Sequence, residues 1–401
     1  MYKYRIVEID DLNDNLSNEK FDMRGEHIYC VGYKFINKLI NLPDEEFPIA
    51  KHLAIPKILN FLYWVDMYIR QNDVTLFEIG KLTFVDFFTT KEYLKYVTLL
   101  RNIEVMSSIK HDNGMMYSKE LGLQRQYRFH KNYTNDIPCL FFIESNKKFT
   151  FHNEIDILNK KYVDTIKEAD ISIVSCIKDE YDYCMKEKSA FSLRCRIGNV
   201  LALSRQRKIK YGKKVRRIYH SFSNLSHISR KYLKVDNCSF VSIDIKNAQP
   251  LLLVYYMASN NYEYDEQYLL ECEKGTLYEN FITKERSRDK VKVLLYKNVY
   301  YAFRETSEIA TEFKALFPKT FNSLKYITEA LKNENLKLAG EMQNLEADIF
   351  NHIVPKKSKY YFTLFDSIYF TDINDMRFIQ EELLNSFKKY NITPKFSITD
   401  K

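Results

Sequence analysis

The chain has 401 residues, 45% hydrophobic and 28% charged, a balance that excludes a disordered polyelectrolyte and allows a large core divided among subdomains. Nine glycines and eight prolines stand against 31 tyrosines and 28 phenylalanines, which favours long helices and short loops and leaves no glycine-rich phosphate loop. The net charge of +8 suits a polyanionic partner without identifying one.

The N-terminal stretch MYKYRIVEIDDLNDN carries acids early and has no apolar signal core. No run approaches ~18 apolar residues, so a cytoplasmic protein that does not enter a membrane is expected. The seven cysteines are scattered with no C-x-x-C pair, which disfavours a structural zinc site and suits a reducing compartment.

In chain order, Ile58, Leu59, Leu62, Tyr63 and Tyr68 suit a helix following Pro56, and KEYLKYVTLLRNIEVMSSI reads as a second. Residues near 112 to 160 alternate more and read as strands and loops, as in PCLFFIES and KKFTFHNE. A helical pattern resumes at about 161 and runs to the basic stretch RQRKIKYGKKVRR, in which Arg205, Arg207, Lys208, Lys210, Lys213, Lys214, Arg216 and Arg217 occur without an acid. Such a run is either a solvated face or a phosphate-binding one. Two short strands follow, RRIYHSFS and CSFVSIDI, then a helix, PLLLVYYMA, with Pro250 in its first turn. Residues 265 to 350 are helix-rich. The last sixty or so read strand (KYYFTLFD), strand (SIYFTD), helix (DMRFIQEELLNSFKKY) and strand (PKFSI). The fold class is α+β.

Two acids stand out. Asp244 lies in the apolar strand FVSIDI and Asp366 in FTLFDSIYF. A buried carboxylate is costly unless paired or metal-bound, although either acid alone is also what a turn would carry. Brought together on adjacent strands, they would suit divalent metal and in-line attack of a hydroxyl on a phosphate. Between them, Arg288, Lys292, Tyr296 and Tyr300 recur every four residues, which on an α-helix makes one stripe of two cations and two aromatics. It reads either as an amphipathic surface helix or as a helix whose cations hold a triphosphate and whose aromatics hold base and sugar.

From Arg217 to the C-terminus the chain resembles the palm and fingers of family A, DNA polymerase I-type, polymerases, whose core the single-subunit phage-type RNA polymerases share. Asp244 and its polar run resemble motif A. Arg288, Lys292, Tyr296 and Tyr300 fit the motif B pattern R-x3-K-x3-[FY]-x3-Y, and Phe365–Asp366–Ser367 resembles motif C. MQNLEADIF resembles the Q-x4-D-I helix, and RRIYHSFSNL the T-G-R…N-L segment. The five elements keep family order over about the last 185 residues.

The resemblance implies a right-hand polymerase with an antiparallel-sheet palm, helical fingers and thumb, and a divergent N-terminal region. Its expected divisions are 1–160 (N-terminal region), 161–235 (thumb-like helices and the basic segment), 236–264 (palm, motif A), 265–340 (fingers) and 341–401 (palm, motif C). It implies a template-directed nucleotidyltransferase, a small DNA polymerase without proofreading, since no exonuclease carboxylate set is evident in the first 200 residues. Two magnesium ions, with manganese as an alternative, would be held by Asp244, Asp366 and the Ile245 carbonyl. Arg288 and Lys292 would neutralise phosphates, with Lys292 able to protonate pyrophosphate. Tyr296 and Tyr300 would flank the nucleotide, with Gln249 below its sugar. The basic run, Arg217, Asn224 and Gln343 would bind primer–template DNA or RNA.

The departures are Lys297 where a glycine is usual, Phe365 for a histidine, Ser367 for the DNA enzymes' glutamate, and Gln249 for a glutamate that excludes a ribose 2′-hydroxyl. Gln249 is bulky enough to exclude a hydroxyl and able to hydrogen-bond one, so sugar choice stays open. The alternatives are an RNA polymerase or primase, a template-independent nucleotidyltransferase, a non-catalytic nucleic-acid-binding replication or defence factor, and a helical scaffold.

Overall fold

The computed structural model describes residues 4–9, 26–72, 77–78, 87–89, 91–109, 126–144, 149–156 and 158–399. It is a mixed α and β protein with small antiparallel sheets. Part of the strand-and-loop region expected from about residue 112, residues 112–125, lies outside the described residues. Among the described residues no helix is long and apolar enough to cross a membrane. The chain divides into two compact units: residues 1–151, 171–207 and 224–232 form the first, and residues 152–170, 208–223 and 233–401 the second.

The first unit is organised by the strand Pro138–Glu144, which pairs antiparallel with Tyr4–Glu8 on one side and Glu26–Gly32 on the other. Its nearly unbroken apolar sequence follows from burial on both faces. Cys139, Phe141 and Ile143 enter a core with the helices Tyr33–Ile40, Lys51–Asn72 and Tyr93–Asn102. Leu140 and Phe142 enter another with Ile173–Glu187 and Ala190–Ala202. The helix expected after Pro56 begins earlier, at Lys51, and contains the proline. Ser107 and Ser108, read as the end of a helix, instead lie in the strand Met106–Ile109.

This unit also buries charge. Asp66 and Arg194 are 5% and 1% exposed, with Asp66 Oδ2 3.9 Å from Arg194 Nε. The Tyr133 hydroxyl donates to the same carboxylate at 3.3 Å. Burial raises the Asp66 carboxyl to about 7 in spite of that arginine.

The second unit is built on a four-stranded antiparallel sheet. Its elements here are β1 (Gln206–Tyr211, belonging to this unit from Lys208 onward), β2 (Ile218–His220), β3 (Val241–Ile245), helices α1 (Ala248–Ser259), α2 (Arg288–Leu295) and α3 (Leu338–Phe350), then β4 (Tyr361–Leu364), β5 (Ser367–Phe370) and β6 (Phe396–Thr399). The sheet order is β4-β5-β3-β6, and β1 and β2 pair antiparallel outside it, in a three-stranded sheet. Val241, Ile243 and Ile245 are buried on one face of β3. Ser242 and Asp244 alternate onto the other, where register places Tyr369, Ser367, Ser397 and Thr399 beside them. On that second face polar residues surround Asp244 on β3, β5 and β6, while β4 contributes the buried Phe362 and Leu364.

A helix outside the sheet fastens its β4 edge. Lys161, in Lys160–Glu168, gives its ammonium to the carbonyls of Pro355, Lys356 and Ser358 at 2.9–3.2 Å. Thr165 Oγ1 accepts from the Tyr361 amide at 2.9 Å. Opposite the start of that edge, the buried Asp375 carboxylate accepts the amides of Lys356, Lys357 and Ser358. Burial would raise its pKa, but these backbone donors outweigh burial and hold it below the ordinary range.

Candidate active site

Asp244 stands opposite Ser367 in the β3–β5 register, and the Ile245 amide donates to the Asp366 carbonyl at 3.4 Å. Opposed residues of antiparallel strands lie about 5 Å apart, so the backbone of Asp366, next to Ser367, lies beside the end of β3 that carries Asp244, 122 positions away in sequence. Asp366 sits in the two-residue turn between β4 and β5. The turn opens with Phe365 at φ 55°, a left-handed conformation uncommon for a bulky aromatic. Both carboxylates are half-buried rather than enclosed. The reading of an acid sealed in a strand core is corrected here: Asp244 is half-buried, with Ser367 and Ser397 beside it, and its burial cost is correspondingly modest.

Ser367, noticed in the sequence only as a departure, has a definite part. Its hydroxyl donates to Asp244 Oδ1 at 2.7 Å and so fixes that carboxylate's orientation. Next along the chain, Asn247 takes φ 53° and caps α1 from a left-handed conformation. Its side chain is 7% exposed, and both polar atoms lie buried without a protein partner. Such an amide needs a hydrogen-bonding group from outside the chain, as a bound water or ligand supplies.

The donors around Asp244, Asp366 and the Ile245 carbonyl are all oxygen, which suits magnesium rather than zinc. Among the described residues no group of three or more His, Cys, Asp and Glu side chains is placed to hold a metal. Two carboxylates fit a magnesium ion that keeps waters or substrate phosphates as its remaining ligands.

The cationic stripe forms only in part. Arg288 and Lys292 are exposed on α2. Arg288 pairs with Glu279 at 3.0 Å over the Tyr278 ring, and the Lys292 ammonium lies 5.7 Å from the Tyr296 ring centre. An exposed pair such as Arg288–Glu279 contributes about 0–1 kcal/mol and yields readily to a phosphate. After Leu295 the helix widens into a π-turn, Tyr296–Tyr300. The extra residue per turn ends the four-residue repeat. Tyr300 turns inward, 1% exposed, its hydroxyl 3.2 Å from that of Tyr268. Tyr301, unremarked in the sequence, takes the outward place. Its hydroxyl, pushed up to about 12 mainly by burial, donates to Gln249 Oε1 at 3.3 Å. Burial likewise raises the Tyr296 hydroxyl, and the negative charge of Asp366 adds to the rise at both tyrosines.

Behind the pair lies a buried network with no sequence signal. Glu346 on α3 is 1% exposed. Its Oε2 accepts from Arg217 at 2.6 Å and from Gln249 Nε2 at 2.7 Å. Burial raises the Glu346 carboxyl to about 7; Arg217 opposes the rise and Asp366 adds to it. Arg217 also stacks on Phe365, 4.9 Å from its ring centre. The guanidinium expected on a nucleic-acid backbone is thus committed to an internal ion pair.

The remaining basic residues divide. Arg205 and Arg207 belong to the first unit and point into it: Arg205 donates to the Ile28 carbonyl at 2.9 Å, Arg207 to that of Leu203 at 3.1 Å. Asn224 also belongs there, and its carbonyl accepts from Asn199. Lys208 on β1 and Lys213 and Lys214 at the β1–β2 turn are exposed, while Lys210 is half-buried. Arg216 is exposed and paired with Asp348 on α3, and Gln343 is half-buried on the same helix. Comparison of the chain with protein-family models and with curated proteins gave no match.

Proposed function

We propose that the chain is a template-directed nucleotidyltransferase, a small DNA polymerase of the right-hand type. The observation that carries this reading is that Asp366, in the β4–β5 turn, lies beside the end of β3 that bears Asp244, with Ser367 orienting the latter. The helix bearing Arg288 and Lys292, which runs into Tyr296, supports it, and Asp366 acts electrostatically on that tyrosine.

Asp244, Asp366 and the Ile245 carbonyl would hold the metal. Bound there, magnesium supplies charge stabilisation for a phosphoryl group and a more acidic attacking hydroxyl. Arg288 exchanges Glu279 for a phosphate oxygen, and Lys292 places a second positive charge one helical turn on. Lys292 is exposed and can deliver a proton to the departing pyrophosphate. Tyr296 packs against the incoming nucleotide. Lys208, Lys213 and Lys214 attract the nucleic-acid backbone. Most of the rate enhancement comes from positioning and charge rather than covalent chemistry.

Primer extension with magnesium tests the reading, run with deoxy- or ribonucleoside triphosphates and with or without template. The expected result is templated extension that Asp244→Asn and Asp366→Asn each reduce at least 1000-fold at unchanged thermal stability. Extension surviving both substitutions, or none by the wild type under any condition, overturns the assignment.

A further inference from the structure

A small cavity lies inside the first unit, among the strand Glu26–Gly32, the helices Lys51–Asn72 and Ala190–Ala202, and Tyr133 of the short helix Lys131–Thr134. Its volume is about 20 Å³, room for one body of water size or slightly more. Leu59 and Leu62 give it an apolar wall, while Asp66, Arg194 and Arg205 bring charge. Asp66 and Arg194 do not close on each other: Arg194 Nε stands 3.9 Å from Asp66 Oδ2, beyond hydrogen-bond reach. Asp66 Oδ1 and Arg194 Nε and Nη2 are buried without a protein partner. Arg194 commits only Nη1, to the carbonyls of Thr134 and Asp136 at 3.4 Å. Buried polar atoms left open in this way call for a hydrogen-bonding body between them.

Charge decides its kind. Two guanidinium groups face one carboxyl, the only acid among the described lining residues. The cavity is therefore positive with Asp66 ionised and more so with Asp66 protonated. A water satisfies the hydrogen bonds and leaves that charge uncompensated; an anion answers both. We infer that this cavity binds a monovalent anion of chloride size, held by Arg194 Nε and Nη2 and by a proton on Asp66. Anion and proton enter together, so the net charge of the cavity does not change on binding. The site belongs to the first unit and is independent of the nucleotidyltransferase reading.

The charged and titratable groups about Asp66 are Arg194, with Cys195 beside it, Tyr133, Cys30, and Tyr29 under the Arg205 guanidinium. Burial raises the Cys30 thiol and the Tyr29 and Tyr133 hydroxyls, so these stay neutral near pH 7. Burial also raises the Asp66 carboxyl, to about 7, which brings its proton into the ordinary pH range.

The test is line broadening of the chloride NMR signal by the full chain, with displacement by bromide giving the affinity, at pH 6 and pH 8 and constant ionic strength. With the carboxyl midpoint at about 7, binding should be about 10-fold weaker at pH 8 than at pH 6. Asp66→Asn puts an amide donor in place of the proton at any pH; it should bind within about threefold of the wild type at pH 6 and lose the pH dependence. Arg194→Met should abolish binding at both pH values, and where it does not fold Asp66→Asn decides the matter. No displaceable broadening by the wild type, which would mean a water alone in the cavity, overturns the inference. So does equal affinity at the two pH values, a pH dependence that Asp66→Asn retains, or binding that survives in folded Arg194→Met.

Discussion

Replacing Arg217 separates an internal ion pair from a nucleic-acid contact. The Arg217 side chain is 13% exposed and Glu346 1%, with 2.6 Å between Nη2 and Oε2. In Arg217→Met the stem keeps its packing, but Glu346 is left with only the Gln249 amide. Removing one partner of a buried pair costs about 3–5 kcal/mol when the other stays charged. Glu346 can escape by taking a proton, and its carboxyl is already raised to about 7 from 4.5. Between those values the folded state holds a proton that the unfolded state has released, so wild-type stability falls as pH rises through this window and levels off above it. Losing Arg217 raises the carboxyl further and extends the decline to higher pH. The cost of Arg217→Met should therefore be about 3–5 kcal/mol at pH 8.5, and about 1 kcal/mol at pH 5.5, where only a hydrogen bond between largely neutral Glu346 and arginine is lost. Urea denaturation followed by circular dichroism at the two pH values measures both. A cost below about 0.5 kcal/mol at pH 8.5, the range of an ordinary surface substitution, would refute the buried pair. In that case a drop of about 0.9 in the slope of log affinity for DNA against log salt would mark Arg217 as a phosphate contact instead.

Two further outcomes are expected. In the first unit, Asp66 is raised from 3.8 to about 7 by burial, so it too binds a proton on folding; wild-type stability should fall by up to about 4 kcal/mol between pH 4 and 7 on its account, and Asp66→Asn should flatten that part of a pH series of denaturation midpoints. At the β1–β2 turn, Lys213 and Lys214 are exposed; changing both to alanine should leave stability within about 0.5 kcal/mol and lower the salt slope of DNA binding by about 1–2, as read by fluorescence anisotropy at several salt concentrations.

The periodic parts of the fold were legible. The apolar run of Pro138–Glu144, the helices from Lys160 to Ala202 and the strand–turn–strand around Asp366 follow from side-chain spacing alone. The sequence also pointed to Asp244 and Asp366, because an acid in an apolar strand is conspicuous. It did not show that Asp244 is only half-buried, with serines opposite it on both neighbouring strands. The basic run concealed the strand β1, in which Arg207 and Ile209 are buried and Lys208 exposed. Charge dominated the reading, and the two-residue period passed unnoticed. Tyr300 was misplaced for a different reason: a four-residue spacing predicts one face only while the helix stays α, and the turn at Tyr296–Tyr300 is π. The Arg217–Glu346 pair spans 129 residues, and no local pattern announces a partner at that distance.

Burial separates the acids of the second unit more clearly than sequence context does. Asp375 is buried and saturated by backbone amides, so its charge is spent on holding the segment before β4. Glu346 is equally buried but shares one oxygen between a cation and an amide, which makes it an orienting group that cannot reach a substrate. Asp244 on β3 and Asp366 in the β4–β5 turn are both half-buried and lie at one end of the sheet. On the proposed function, a metal ion would reach and leave such a pair without the fold opening. A metal at Asp375 would have to displace three backbone hydrogen bonds. On the proposed function, the chemistry falls to the two half-buried acids, and the two most buried fix the parts around them.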